Sequence, residues 1–89
     1  MHLPVVPRDE FKDKSGQGDW ADSLLELDAD FGCLLALLDE LEVADTTLVV
    51  FAGDNGPEEV STWRGTPGFW EGSYFAAGEG NLRTPCIAR

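Results

Sequence analysis

The chain has 89 residues, with 17 acidic and 6 basic side chains, a formal net charge of −11 and a sequence pI near 4.1. Binding to a nucleic-acid backbone or to an anionic membrane surface needs clustered Lys and Arg, so neither is expected as a partner. A hydrophobic fraction of 43% and a mean hydropathy of −0.17 are too apolar for a disordered acidic tail, so a folded segment of one domain at most is expected.

No apolar run reaches eighteen residues, so no membrane-spanning helix is expected. The opening MHLPVVPRDEFK has no basic stretch followed by an apolar one, so no signal peptide is expected, and the compartment stays open. Cys33 and Cys86 form neither a disulfide framework nor a zinc-type spacing.

Residues 1–18 read as extended chain and loop, because Pro4 and Pro7 exclude a regular helix and SGQG (15–18) is a breaker cluster. A helix is predicted from Asp19, as N-cap, with Asp22 adding a second acid near the positive end of the dipole. Trp20, Leu24, Leu27, Phe31, Leu34, Leu38 and Leu41 recur at steps of three or four and define its apolar face. Asp22, Glu26, Asp30 and Asp39 fall on the other face, which reads as solvated surface, and Cys33 reads as a small core hydrophobe. The helix is predicted to end between Leu41 and Ala44. Glu40, Glu42 and Asp45 sit badly there for the negative end of the dipole, so neighbours or solvent must compensate.

Thr46 to Ala52 is β-branched and almost wholly apolar, the pattern of a strand buried on both faces in a parallel sheet. A helix followed by such a strand is half of an α/β repeat. Gly53-Asp54-Asn55-Gly56-Pro57 ends it abruptly. From Glu58 to Gly80 runs a loop rich in Gly and aromatics, of a length usually tied to function. Leu82 to Ala88 could open another strand, with Pro85 in its first residues. One helix covers only one face of a doubly buried strand. An incomplete piece of a larger α/β domain is therefore expected, with an obligate oligomer as the other account.

Asp54-Asn55-Gly56 is the sharpest chemical feature. It stands at the carboxyl end of the strand, where open α/β sheets place ligands. A carboxylate and an amide carbonyl are hard oxygen donors suited to Ca²⁺ or Mg²⁺, and Gly56 permits the sharp turn that lets neighbours share one ion. Asn-Gly is a strong turn dipeptide, so on these residues alone a plain chain reversal is the favoured reading, and it is the buried strand just before them that shifts the balance. His2, the single histidine, lies in an extended segment and could act as a general acid or an anion contact, or simply sit at a frayed terminus. No phosphate-loop, dinucleotide or nucleophile-elbow pattern is present.

Taken together, three segments resemble the sulfatase family, in its arylsulfatase-type branch of the alkaline-phosphatase-like superfamily. Asp45 to Glu58 resembles the segment in which DNG follows a buried strand. Glu79-Gly80-Asn81-Leu82-Arg83-Thr84-Pro85 is similar to the EGGxRxP signature, and Met1-His2-Leu3-Pro4 resembles the HxP segment. The resemblance implies an α/β fold, with residues 1–89 as part of a mixed-sheet catalytic domain. It implies that Asp54 and Asn55 are two ligands of an active-site Ca²⁺, with Mg²⁺ as the other candidate. It also implies that His2 contacts the sulfate group, that Arg83 is structural, and that the full enzyme takes a sulfate ester as substrate. The sequence departs from the pattern too. No Cys or Ser is followed by x-Pro-x-Arg, the upstream Asp pair is missing, and Tyr74 stands near the place of a lysine common in the family. That leaves Arg64 as the basic residue of the loop. The chain alone is therefore expected to be inactive. A phosphate mono- or diester hydrolase of the same superfamily, and a small non-enzymatic acidic interaction module, are the alternatives.

Overall fold

The computed structural model describes residues 4–60 and 63–89, with 63 and 64 described by backbone alone. Along the chain lie helix α1 (Asp19–Glu40), a single 3₁₀ turn (Ala44–Thr46) and strands β1 (Val50–Ala52), β2 (Glu59–Val60) and β3 (Trp63–Arg64). A one-turn helix α2 (Glu79–Leu82) and strand β4 (Cys86–Ala88) follow.

Helix α1 begins one residue earlier in capping terms than expected. Gly18, at φ 89°, is the N-cap, and Asp19 is the first helical residue. Only glycine enters that backbone region without strain, and this moves the boundary. The C-terminus closes in a Schellman arrangement. Val43 donates its N–H to the Leu38 carbonyl (3.1 Å) and Glu42 to that of Asp39 (3.0 Å). Glu42 takes the left-handed position at φ 56°, where glycine is usual. Near this acidic end the Arg89 guanidinium stands 3.6 Å from the Asp39 carboxylate.

The acidic face of α1 is not the solvated surface that the pattern predicts. Asp22 is fully buried. Its Oδ2 accepts the Asp13 N–H at 2.8 Å and its Oδ1 the Ser15 N–H at 2.7 Å. The Ser15 hydroxyl, then the Ser15, Asp13 and Lys14 N–H groups, hold the Asp22 carboxyl below the usual carboxylate range, against the opposing effect of desolvation. A carboxylate has up to four acceptor sites, so one helix side chain can gather a loop that lacks regular structure. Glu26 and Asp30, one turn apart, are engaged as well. Arg8 Nε donates to Glu26 Oε1 at 2.7 Å and Nη2 to Asp30 Oδ1 at 2.6 Å. The Arg8 guanidinium also lies 5.1 Å from the Phe11 ring centre. The hydrogen bond to Asp30, first among these contacts, raises the Arg8 pKa further.

The apolar face of α1 is only partly used. Trp20 packs its ring on Gly65, where a Cβ would come within 2.8 Å of Trp20 Cζ2. Phe31 meets Phe51 edge-on, with ring centres 5.3 Å apart. Leu24, Leu34, Leu37 and Leu41 stay exposed, Leu41 by 60%. Cys33, expected in the core, is exposed too. Among the described residues the buried apolar side chains are Val5 and Pro7. The radius of gyration is 15.1 Å and the extents are 43 × 31 × 19 Å, against about 12 Å expected for a compact chain of this length. The molecule is a slab whose helix has too little to pack against.

The strand expectation needs correction in four respects. The regular strand is three residues long, because Ala44–Thr46 turns as 3₁₀ instead of extending. Its partner β4 runs antiparallel, in the register Val50↔Ala88, Phe51↔Ile87 and Ala52↔Cys86. Val49 and Arg89 extend the ladder by exchanging N–H to carbonyl bonds at 3.0 Å. Nor is the strand buried on both faces: Val50 is 57% exposed, and Ile87, the partner of Phe51 on β4, is 64% exposed. β1–β4 and β2–β3 are separate two-stranded sheets among the described residues, not one mixed sheet. Among the described residues, Phe31 of α1 covers Phe51 of β1, while Val50 and Ile87 stay exposed.

Candidate functional site

The DNG turn leaves the end of β1 and is held against the segment 80–85. Gly53 donates its N–H to the Pro85 carbonyl (3.1 Å), and its own carbonyl accepts the Thr84 hydroxyl (2.8 Å). Three residues on, the Gly56 N–H is shared between the Asn81 carbonyl (2.9 Å) and Asn81 Oδ1 (3.0 Å). Gly56 is buried. A Cβ there would fall 2.2 Å from the Gly80 carbonyl oxygen and 2.6 Å from Asn81 Cα, so the close approach of the two segments requires glycine. Two of the three sequence segments that carry the family resemblance, about thirty residues apart, thus form one structural unit.

Asp54 is exposed and Asn55 half-buried. No hydrogen bond or ion pair engages either side chain among the described residues. Their neighbours fix the backbone while the two side chains keep their oxygen atoms available. Both line an open cavity of about 510 Å³, which Tyr74, Arg83 and, from α1, Trp20 and Leu24 also line. The donor chemistry fits a hard divalent cation. The donor number is short of a full shell, since no group of three or more His, Cys, Asp or Glu able to hold a metal occurs among the described residues.

His2 lies outside the described residues, as does the side chain of Arg64. Arg83 is committed to packing. Its guanidinium pairs with Glu79 one turn earlier and stacks 4.3 Å from the Trp70 ring centre. Tyr74 reaches the same cavity as Asp54 and Asn55, and its N–H donates to the Pro57 carbonyl at 3.0 Å.

Two residues escaped the sequence reading. Asn81 joins the turn to the 73–78 loop, for its Nδ2 donates to the Ala76 carbonyl at 2.8 Å. The available signal was its place in the EGGxRxP-like segment, where the second glycine is expected. Glu58 also lines the cavity, and its Oε2 is buried without a hydrogen-bond partner among the described residues. No spacing pattern pointed to it.

The chain is similar over almost its whole length to several curated proteins. It is 38% identical over 88 residues to human arylsulfatase A, covering 98% of the chain and 17% of that protein. It is 35% identical over 99 residues to the N-acetylgalactosamine-6-O-sulfatase of Bacteroides thetaiotaomicron, covering all of the chain and 19% of that protein. With human steryl-sulfatase it shares 36% identity over 95 residues, again all of the chain but 16% of the relative. No family model matches the chain, and no solved structure matches it significantly. The chain therefore spans less than a fifth of the length of these relatives. Matched from end to end by such proteins, with both characteristic segments joined in one unit, the chain belongs to the sulfatase family.

Proposed function

We propose that this chain contributes one part of a sulfuric ester hydrolase site, in which Asp54 and Asn55 supply two oxygen ligands to Ca²⁺, with Mg²⁺ as the alternative ion. The observation that carries this reading is the free pair of side chains on a turn fastened at both ends, within a segment homologous to sulfatases. The names of the relatives favour a sulfate over a phosphate ester as substrate. A non-enzymatic module would not need two hard donors held open on a fixed backbone.

A bound divalent ion would supply Lewis-acid polarisation and a template for the sulfuryl oxygens. This chain's residues do the holding. Asp54 brings the negative charge, Asn55 a neutral carbonyl, and Gly53 and Gly56 fix the backbone between them. His2, by family resemblance, contacts the sulfate group. The nucleophile and the remaining ligands are assigned to sulfatase sequence other than these 89 residues, since no Cys- or Ser-x-Pro-x-Arg occurs here.

Calcium titration tests the assignment. The 89-residue chain should bind Ca²⁺ with a Kd of about 1 mM or weaker, because one carboxylate and one amide fall far short of six to eight ligands. Asp54→Ala should abolish the binding, and an aryl sulfate should be hydrolysed no faster than in buffer. Sub-micromolar binding that survives Asp54→Ala would refute the role of Asp54. Turnover by the chain alone would refute the division of the site.

A further inference from the structure

Asn81 occupies an unusual place in the hydrogen bonding around the DNG turn. Its carbonyl and its Oδ1 both accept the Gly56 N–H, at 2.9 and 3.0 Å, while its Nδ2 donates to the Ala76 carbonyl at 2.8 Å. The side-chain amide is thus used as acceptor and donor at once. It spans from the turn to the loop that carries Tyr74, and it is half-buried. At the leading end of the turn the hold on Gly53 is shared by Thr84 and Pro85. At the trailing end both acceptors of the Gly56 N–H belong to Asn81.

Two consecutive side chains can meet one ion only over a narrow range of the backbone torsions between them. A turn free to sample other torsions loses entropy each time it binds, and a turn already fixed does not. The torsions of Asn55 are bounded by the peptide that ends at the Gly56 N–H. The group that holds that N–H therefore governs whether the Asp54 and Asn55 oxygens converge.

We propose that Asn81 is a positioning residue for the cation site, holding Gly56 so that Asp54 and Asn55 are preorganised for one divalent ion. The proposal rests on the cation reading of Asp54 and Asn55 given above. Asn81 touches no ligand itself. Its Nδ2 bond to Ala76 also ties the Tyr74 loop to the same turn, so that the cation-binding edge and the wall of the cavity move as one piece.

The test uses the whole 89-residue chain with Tb³⁺ as a luminescent probe displaceable by Ca²⁺, and hydrogen exchange at the Gly56 amide without metal. Asn81→Ala should speed Gly56 exchange and weaken Tb³⁺ binding about tenfold. Unchanged Tb³⁺ affinity with faster exchange would reduce Asn81 to a clamp and overturn the proposal, as would unchanged exchange. Should Asn81→Ala not fold, Asn81→Asp serves instead: it keeps an acceptor for Gly56, replaces the donor to Ala76 with a carboxylate oxygen facing that carbonyl, and adds a negative charge that by itself favours Tb³⁺. Tb³⁺ affinity must then stay at or above that of the parent chain, and a tenfold fall overturns the proposal. If the parent chain itself fails to bind Tb³⁺ while Asn81 still protects Gly56, the cation reading has failed and the positioning role falls with it. That pattern is distinct from loss in the variant alone.

Discussion

Residues 4–18 and the described residues between 53 and 85 both contain little regular structure, yet different forces hold them. The first region is tied to α1 by charge: Asp22 gathers the backbone of residues 13–15, and Arg8 bridges Glu26 and Asp30. Around the DNG turn the second is held by neutral main-chain, amide and hydroxyl groups and close glycine contacts, with Gly53 bonded to Pro85 and Thr84 and Gly56 to Asn81; its Arg83–Glu79 ion pair makes none of these bonds. Charge contacts depend on protons and salt, whereas neutral amide contacts depend on shape. The candidate site lies in the region governed by shape, so solution conditions that loosen the first region should leave the second standing.

The sharpest way to break the second region is Gly56→Ala. The added carbon meets backbone at 2.2 Å and 2.6 Å, which no flexible side chain can relieve. We expect a loss of about 3 kcal/mol, at the upper end of overpacking costs, measured by urea unfolding. Protection of the Gly56 amide should vanish, while that of α1 persists.

Asp22→Asn addresses the first region. The variant keeps one acceptor oxygen and turns an NH₂ group towards an N–H donor, so residues 13–15 should lose amide protection while the DNG turn does not change. The pH dependence has a definite sign. The folded Asp22 carboxyl sits below its unfolded value. Its contribution is therefore fully present above the unfolded, ordinary carboxylate pKa and is lost as pH falls through the lower folded one. In an acid titration followed by NMR, the 13–15 loop should release in that window in the parent chain, and the Asp22→Asn variant should show no such step. Release of the loop on raising the pH from neutrality would contradict this.

Arg8→Gln should have the smallest effect. The guanidinium is about half exposed, and its raised pKa keeps it charged at every pH of practical interest. Its ion pairs should matter at low ionic strength and fade near 1 M NaCl, where the screening length is about 3 Å. A parent–variant difference in thermal midpoint that is unchanged by salt would mean that Arg8 acts through its packing on Phe11.

Much of this was legible in the residues. The spacing from Trp20 to Leu41 gives the helix within a residue or two, and Gly53–Pro57 marks the end of β1. The pairing of β1 with β4 was not legible, because an apolar run names no partner and no direction. Asp22 was misread for a related reason. Periodicity assigns a face to the outside, but a loop with unsatisfied N–H groups can bring the inside to it. The candidate ligands Asp54 and Asn55 stood out by type and position. Asn81 did not, since its place at the expected second glycine marks it as unusual but does not say what its side chain will bond.

The ribbon of β1 and β4 has a further consequence. Neither outer edge is paired among the described residues, and Val50 and Ile87 leave it greasy as well as open. An open edge of this kind is a template for another copy of itself. Solutions of the chain should therefore age by crowding more than by warmth. Dilution, or a short peptide that occupies the rim, should do more to keep it clear than cooling.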